Sequence, residues 1–249
     1  MSFVNDFFNH FDVKPSFYTD DNGNTYSDRK LIPVEKAEDV AVDSIYSCTL
    51  SSIIDYIGGI VNNWHKNDRM IIRVESPTEV LLTNELKSNG CYNCYLRCNF
   101  NGTPFSFNRF MDTESFIVEL QTSFVNNDNL VQLQKVASNI CVGSELSVSD
   151  DGISQNCVVK TGAALKSKLI INNPVYLKPY RTFTEIEQVE SPFVFRIRDN
   201  NNQPTCALIQ SNSTMWEVEC IKRIKEWLKK ELNALDESLI KNNKIVIIG

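Results

Sequence analysis

The segment from residue 173 to residue 208 constrains the fold of this 249-residue chain more than any other. After Pro192, two sets of side chains alternate: one set is Phe193, Phe195 and Ile197, and the other is Val194, Arg196 and Arg198. This period of two is typical of a strand with one buried face. The polar run 199–202 ends that strand, and residues 206–209 predict the returning arm of a hairpin. The segment therefore predicts antiparallel β-structure.

The remaining segments show a mixture of helical and strand patterns. Apolar residues at 50, 53, 54, 57 and 61 predict a helix, with Ser47 or Thr49 as its cap. Three strands are expected next, at 69–75, 79–86 and 92–100, and then two helices that begin at Asp112 and Asp128. Further strands are expected at 145–148, 156–161, 168–171 and 175–177. A helix from Thr214 to about Leu235 and a strand at 244–248 complete the pattern.

Strands followed by helices, without a βαβ series, indicate an α+β fold. We predict antiparallel or mixed sheets with helices packed on one side, and a C-terminal amphipathic helix followed by a short strand.

The sequence divides into three regions. Residues 1–40 form an N-terminal arm and a turn-rich entry, with a turn signal at 20–24. Residues 41–143 form an α+β region, and residues 144–249 form a β-rich region that ends in the helix.

The charge and hydropathy of the chain exclude several classes of protein. The formal net charge of -6 argues against general binding to nucleic-acid backbones, which requires clustered Lys and Arg. Glutamates also interrupt the lysines of the C-terminal helix, so we interpret that basic face as solvated rather than as a nucleic-acid site. No apolar run reaches the roughly 20 residues that span a bilayer, and the N-terminus lacks the pattern of a secretory signal. We expect no membrane association.

Eight cysteines raise the question of a metal site. Cys91, Cys94 and Cys98 could supply three thiolates to zinc or to an iron–sulfur cluster. A fourth ligand is missing, since there is no second CxxC pair and the only histidines are His10 and His65. The alternative is a strand in which these thiols pack as small apolar groups. We predict no metal and no cofactor.

Catalytic patterns are scarce along the chain. Neither histidine lies near an obvious nucleophile, and no phosphate-binding glycine loop is present. Asp150 and Asp151 could hold Mg²⁺ in a glycine-containing turn, but aspartates are also common in turns for backbone reasons. We predict that the protein is not an enzyme.

A cluster of cations and one aromatic ring is the best candidate for a ligand site. Arg196 and Arg198 share a strand face by parity. Lys178, Tyr180 and Arg181 come from a segment that can run beside it. Guanidinium groups beside an aromatic ring suit a ligand that carries phosphate or carboxylate. The alternative is that these cations form cross-strand ion pairs with acidic residues nearby: Glu185, Glu187 and Glu190.

Both ends of the chain carry apolar side chains that suit contacts between subunits. At the N-terminus four rings recur at helical spacing: Phe3, Phe7, Phe8 and Phe11. They can dock on the chain's own core or on a neighbouring subunit, because such rings are unfavourable in water. At the C-terminus, Ile245 and Ile247 belong to a short strand whose partner can be this sheet or that of another copy.

The C-terminal half resembles the YfdQ-like family of tailed-phage and prophage proteins. Members share an extended Pro-Tyr segment, an Arg-Thr/Ser-Phe triplet, a strand rich in Leu, Ile and Arg, and a closing strand. The corresponding residues here are 179–180, 181–183, 193–198 and 205–210, with looser similarity at 150–154 and 158–162. Residues 49–141 fit only through the order of their elements. The resemblance implies a phage protein made in the cytoplasm of a bacterial host, and it implies no catalytic residues.

Three functions are consistent with these features. The first is a non-enzymatic phage accessory protein that self-assembles into a homo-oligomer in the infected bacterium. The second is a counter-defence protein that sequesters a small anionic nucleotide through the arginine cluster. The third is a metal-dependent hydrolase or nuclease that uses carboxylates such as Asp150 and Asp151. Besides a second copy of the chain, a small anionic ligand or a host protein is the expected partner.

Overall fold

The computed structural model describes residues 17–21, 24–27, 43–60, 69–86, 90–142, 145–150, 154–161, 165–200, 203–211 and 214–249. The chain divides into two compact units, residues 1–41 and 42–249. In the first unit, β1 (Phe17–Thr19) pairs antiparallel with β2 (Thr25–Ser27). The Asp20 carboxylate accepts a hydrogen bond from the Asn24 backbone N–H at 2.9 Å, which closes the turn between these two strands.

The second unit contains helices and strands in a mixed order. They are β3 (Ile45–Ser47), α1 (Ser51–Ile60), β4 (Met70–Ser76), β5 (Glu79–Asn84), β6 (Cys94–Asn99), β7 (Met111–Asp112), α2 (Thr113–Thr122), α3 (Asp128–Val142), β8 (Glu145–Asp150), β9 (Ser154–Thr161), β10 (Leu165–Asn172), β11 (Val175–Leu177), β12 (Ser191–Asn200), β13 (Gln203–Gln210), α4 (Met215–Leu235), α5 (Ser238–Lys241) and β14 (Ile245–Ile248).

The described strands of this unit form three sheets. The largest has the order β14-β4-β5-β6-β3, with parallel outer pairs and antiparallel inner pairs. A second, antiparallel sheet has the order β11-β12-β13-β7 and contains the predicted hairpin, in which Phe193 lies opposite Gln210. The third sheet has the order β10-β9-β8. Mixed and antiparallel sheets combined with helices confirm the predicted α+β class.

The first core lies between the five-stranded sheet and the helices on one of its faces. Alternate strand residues point inward because side chains in a strand have a period of two. The fully buried members include Ile72, Leu82, Ile53, Ile57, Ile224, Leu228 and Leu232. The opposite face carries ion pairs, among them Arg73 with Glu75 at 2.7 Å and Arg97 with Glu79. The C-terminal amphipathic helix α4 packs here, followed by the short strand β14, as predicted.

The second core lies between the four-stranded sheet and helices α2 and α3. Asp112 caps α2, because its carboxylate accepts a hydrogen bond from the Ser115 N–H at 2.8 Å. This bond lowers the pKa of Asp112. The buried members of the core include Phe116, Leu120, Leu133, Phe193, Phe195 and Leu208. Both cores thus combine residues from the predicted regions 41–143 and 144–249.

Helix α1 is capped differently from the sequence-based prediction. The N–H groups of Leu50 and Ser51 donate to Glu185 Oε1 at 2.7 and 3.1 Å. The hydroxyls of Ser47 and Thr49, which were expected to cap this helix, instead bond to Ser52. A carboxylate distant in the sequence reaches the helix end because the loop that carries it packs on the first core. No helix in the described part of the chain is long and apolar enough to span a membrane.

Candidate functional site

The candidate site is built on segment 178–190, which connects β11 to β12 without regular secondary structure. Its backbone is held by the buried amide of Gln188. Gln188 Nε2 donates to the carbonyls of Thr182 and Phe183 at 3.3 Å, and its Oε1 accepts from the Arg181 N–H at 2.9 Å. The Thr182 hydroxyl donates to the Pro77 carbonyl at 2.5 Å. These bonds fix the position of Arg181.

The side chain of Arg181 is buried, and only 7 % of the residue is exposed. Its Nη2 donates to Ser191 Oγ at 2.6 Å. The guanidinium carbon lies 3.9 Å from the centroid of the Trp216 ring, which is a close cation–π contact. The rings of Phe107 and Phe193 lie 5.9 and 5.8 Å away. Aromatic rings therefore surround the cation.

Burial lowers the pKa of Arg181 to about 10, with small opposing effects from Cys220 and Glu217. The group remains protonated near neutral pH because that value is well above 7. No carboxylate among the described residues forms an ion pair with it. The Arg181 side chain has five N–H donors. Among the described residues, it donates one hydrogen bond, to Ser191 Oγ. Arg181 is thus a buried cation with no carboxylate at ion-pair distance among the described residues, and Glu217 acts on it only at longer range.

Arg181 lines a cleft of about 360 Å³, which we call the Arg181 cleft. Its lining residues are Thr78, Phe100, Gly102, Pro104, Phe107, Arg181, Gln210 and Trp216. Arg181 is the one charged residue in this set. Phe100 and Trp216 pack against the first core and Phe107 against the second, so the cleft lies where the two cores meet.

The structure brings only part of the predicted cationic cluster to this cleft. Lys178 pairs with Glu187 at 2.7 Å, which is the alternative considered from the sequence. That hydrogen bond, followed by the charges of Lys178 and Arg223, lowers the pKa of Glu187. Tyr180 is 40 % exposed and is not among the lining residues.

Arg196 and Arg198 lie on the other face of β12 from Arg181. Arg181 contacts Ser191 and Phe193, which share the buried face of the strand, whereas Arg196 and Arg198 have the opposite parity. The guanidinium of Arg198 lies 3.9 Å from the centroid of the Phe110 ring. The five predicted residues therefore do not converge. Parity correctly grouped Arg196 with Arg198 but could not indicate on which face Arg181 lies.

Seven lining residues were absent from the predicted site: Thr78, Phe100, Gly102, Pro104, Phe107, Gln210 and Trp216. They come from separate segments of the chain, so no local spacing connects them. Trp216 carried a weak signal, because it begins the apolar stripe that the sequence predicts for α4: Trp216, Cys220, Ile224, Trp227, Leu228 and Leu232. That stripe alone predicts burial and not a ligand site.

The residues that were predicted to contact a second subunit belong to the two ends of the chain, and the structure describes only the C-terminal ones. Phe3, Phe7, Phe8 and Phe11 lie outside the described residues. Ile245 is only 2 % exposed, and Ile247 packs against the same first core. Strand β14 pairs in parallel with β4 within the chain's own sheet.

The metal-binding alternatives lack a complete ligand set in the described residues. No group of three or more His, Cys, Asp or Glu side chains there could hold a metal ion. Asp151 lies outside the described residues. Cys91 is exposed, whereas Cys98 is buried in β6. Burial raises the pKa of the Cys98 thiol to about 12, with smaller contributions from the charges of Glu185 and Cys48.

A second concavity, of about 400 Å³, lies along α4. It is lined by Val218, Ile221, Lys222, Lys225, Glu226, Lys229 and Gly249. Lys225 Nζ donates to the Gly249 carbonyl at 2.7 Å, so one of its three lysines bonds within the chain. These cations lie on an exposed helix face, where charges are well hydrated.

Comparison of the chain with protein-family models, curated proteins and solved structures gave no match in any of the three.

Proposed function

We propose that this protein binds a small anionic ligand in the Arg181 cleft. The observation that carries the proposal is a buried guanidinium that lines a cleft and has no ion-pair partner among the described residues. An uncompensated buried charge is unfavourable, and proteins usually pair such a charge. A carboxylate or phosphate in the cleft would supply the opposite charge, and the planar guanidinium can donate two parallel hydrogen bonds to it.

The lining favours binding over turnover. Besides Arg181, its polar side chains are those of Thr78 and Gln210. Neither serves readily as a general acid or base near neutral pH, and no nucleophile–base pair is found in this set. We therefore propose a non-enzymatic binding protein. The resemblance to YfdQ-like proteins suggests that it acts in a phage-infected bacterium.

Calorimetric titration tests the proposal with inorganic phosphate, benzoate and AMP as probes. We expect at least one probe to bind, and Arg181→Met to weaken that binding by about tenfold or more, since it removes a charge-assisted hydrogen bond. Arg198→Met is the matched control and should bind like the native chain. Equal affinities of the native and Arg181→Met proteins would refute the proposal. So would the absence of binding by all three probes together with no co-purified anion in a mass spectrum.

Self-assembly is the second candidate function, and strand β3 favours it. This strand forms one outer edge of the five-stranded sheet, and its Ile45 and Tyr46 are 52 % and 73 % exposed. Exposed edge strands with apolar side chains tend to pair with another chain. We propose that the chain forms a homo-oligomer through this edge. The two functions are compatible because the residues of β3 are not part of the Arg181 cleft.

A further inference from the structure

We infer that the Arg181 cleft takes a nucleotide with a single phosphate group, with the base between the aromatic walls and the phosphate at Arg181. The inference rests on the proposed anion-binding function and specifies its ligand class. Three features of the cleft support it: its charge, its walls and its size.

The charge of the cleft suits a single phosphate group better than a chain of two or three. Arg181 is the one charged lining residue, so the lining offers a single positive charge. A diphosphate or triphosphate would bring several negative charges against it. Such ligands are usually held by additional Lys or Arg side chains or by Mg²⁺. In the described residues no acidic cluster could hold that metal ion.

The walls suit a planar ring. Phe100, Phe107 and Trp216 contribute aromatic surfaces, and bases stack on such side chains without regard to sequence. Gly102 lies directly against Phe100, since a Cβ at this glycine would be 2.1 Å from the ring atom Cζ. A larger residue at 102 would therefore displace this wall.

Gln210 provides a polar group that can recognise the edge of a base. Its backbone N–H donates to Asn108 Oδ1, but its side-chain amide makes no hydrogen bond to the described residues. An amide offers both a donor and an acceptor, as does the edge of a nucleobase. A simple aromatic acid such as benzoate would leave this amide unused.

The size of the cleft limits the ligand. Small-molecule sites have volumes of about 300 to 1,000 Å³, and this cleft has about 360 Å³. It is therefore at the small end of the range. A single base with its sugar and phosphate suits that volume better than a dinucleotide or an oligonucleotide.

Calorimetric titration with AMP, GMP, CMP and UMP, together with adenosine, ribose 5-phosphate, ADP and benzoate, tests the inference. We expect at least one monophosphate to bind about tenfold more tightly than either its nucleoside or ribose 5-phosphate, because stacking and the charged hydrogen bonds both contribute. ADP should gain nothing over AMP. Arg181→Met should reduce the affinity for the monophosphate to that of the nucleoside, and Arg198→Met should leave it unchanged.

Two further variants separate a ligand role from a folding defect. Arg181→Lys keeps the charge but loses the planar fork, so it should bind with intermediate affinity. Gln210→Ala should alter the preference among bases and leave the affinity for ribose 5-phosphate unchanged. If benzoate binds through Arg181 more tightly than every nucleotide, the nucleotide inference is wrong and the anion-binding function stands. If no probe depends on Arg181, both are wrong.

Discussion

Arg181 retains a positive charge in a position where little water can reach it. The partners that offset this unfavourable burial are neutral: the Trp216 ring at 3.9 Å and the Ser191 hydroxyl at 2.6 Å. A cation–π contact to tryptophan is the strongest of its kind and gains strength when it is desolvated. The residue is therefore held in place by neutral groups, and the longer-range charge of Glu217 compensates it only in part, as expected of an anion-binding residue.

The first prediction concerns the stability of the Arg181→Met variant. Removing an unpaired buried charge relieves its desolvation cost, which opposes the loss of the Trp216 cation–π contact and the cost of about 1 to 3 kcal/mol for the orphaned Ser191 hydroxyl. We expect the free energy of unfolding without ligand to change by no more than about 1 kcal/mol. Urea denaturation measures it, with Arg198→Met as control. A loss above about 3 kcal/mol would indicate a structural role for Arg181.

The second prediction concerns Cys98 and alkaline pH. Its thiol ionises near pH 9 in an exposed setting but has a pKa of about 12 in the folded chain. The folded state therefore binds more protons than the unfolded state between these values, and stability falls as the pH rises through this window. Below about pH 9 the Cys98 thiol is neutral in both states, and its contribution to the free energy of unfolding is fully present. We expect Cys98→Ala to show a shallower decline in urea-denaturation free energy above pH 9. Parallel declines in the two proteins would contradict this prediction.

Among the elements, helix α1 depends on a partner outside its own segment. Glu185 accepts hydrogen bonds from two N–H groups at the start of the helix. A negative charge at this end also interacts favourably with the helix dipole. The same glutamate belongs to segment 178–190, so the cap ties the helix to the loop that carries Arg181.

The third prediction tests this cap. Glu185→Ala should lower the free energy of unfolding by about 1 to 2 kcal/mol, as loss of a helix cap typically does. Glu185→Gln keeps an acceptor oxygen and should lose less. The exposed Glu190, from the same segment, provides the control, and Glu190→Ala should have little effect. Chemical denaturation measures all three variants, and equal stabilities of Glu185→Ala and Glu190→Ala would contradict the assignment.

At the scale of the second compact unit, segment 178–190 joins the two cores. Phe183 and Ile186 pack in the first core, while Arg181 contacts Phe107 and Phe193 at the second. The position of Arg181 in the cleft is thus set by a segment whose backbone is held through side-chain hydrogen bonds. Such preorganisation reduces the entropy that is lost when a ligand binds.

The fourth prediction concerns assembly of the whole molecule. If β3 mediates pairing, light scattering should give the native chain a mass that is a multiple of the monomer. Tyr46→Asp should shift that mass to the monomer, because a charge at an edge strand disfavours pairing. Val131→Asp, on an exposed position of α3, is the matched control and should not change the mass. A monomeric native chain would exclude self-assembly under the conditions of the measurement.

The sequence alone determined the α+β class, the hairpin of β12 and β13, and the buried stripe of α4. The buried α4 residues Cys220, Ile224, Leu228 and Leu232 recur at helical spacing. In β12, Phe193 and Phe195 recur at strand spacing. Such patterns can be recognised in the sequence because they involve residues close together in the chain. A helix or strand must repeat its buried positions at a fixed spacing wherever it packs.

The packing of distant segments, in contrast, determines which residues form the cleft, which group caps α1, and where Ile245 packs. Thr78, Phe107, Arg181 and Trp216 meet because two cores and an irregular segment pack together, and no spacing along the chain encodes that meeting. The same packing turned Arg181 toward Trp216 and away from the face of Arg196 and Arg198. The lining residues of the cleft come together through contacts between distant segments, and these contacts exist only once the chain has folded.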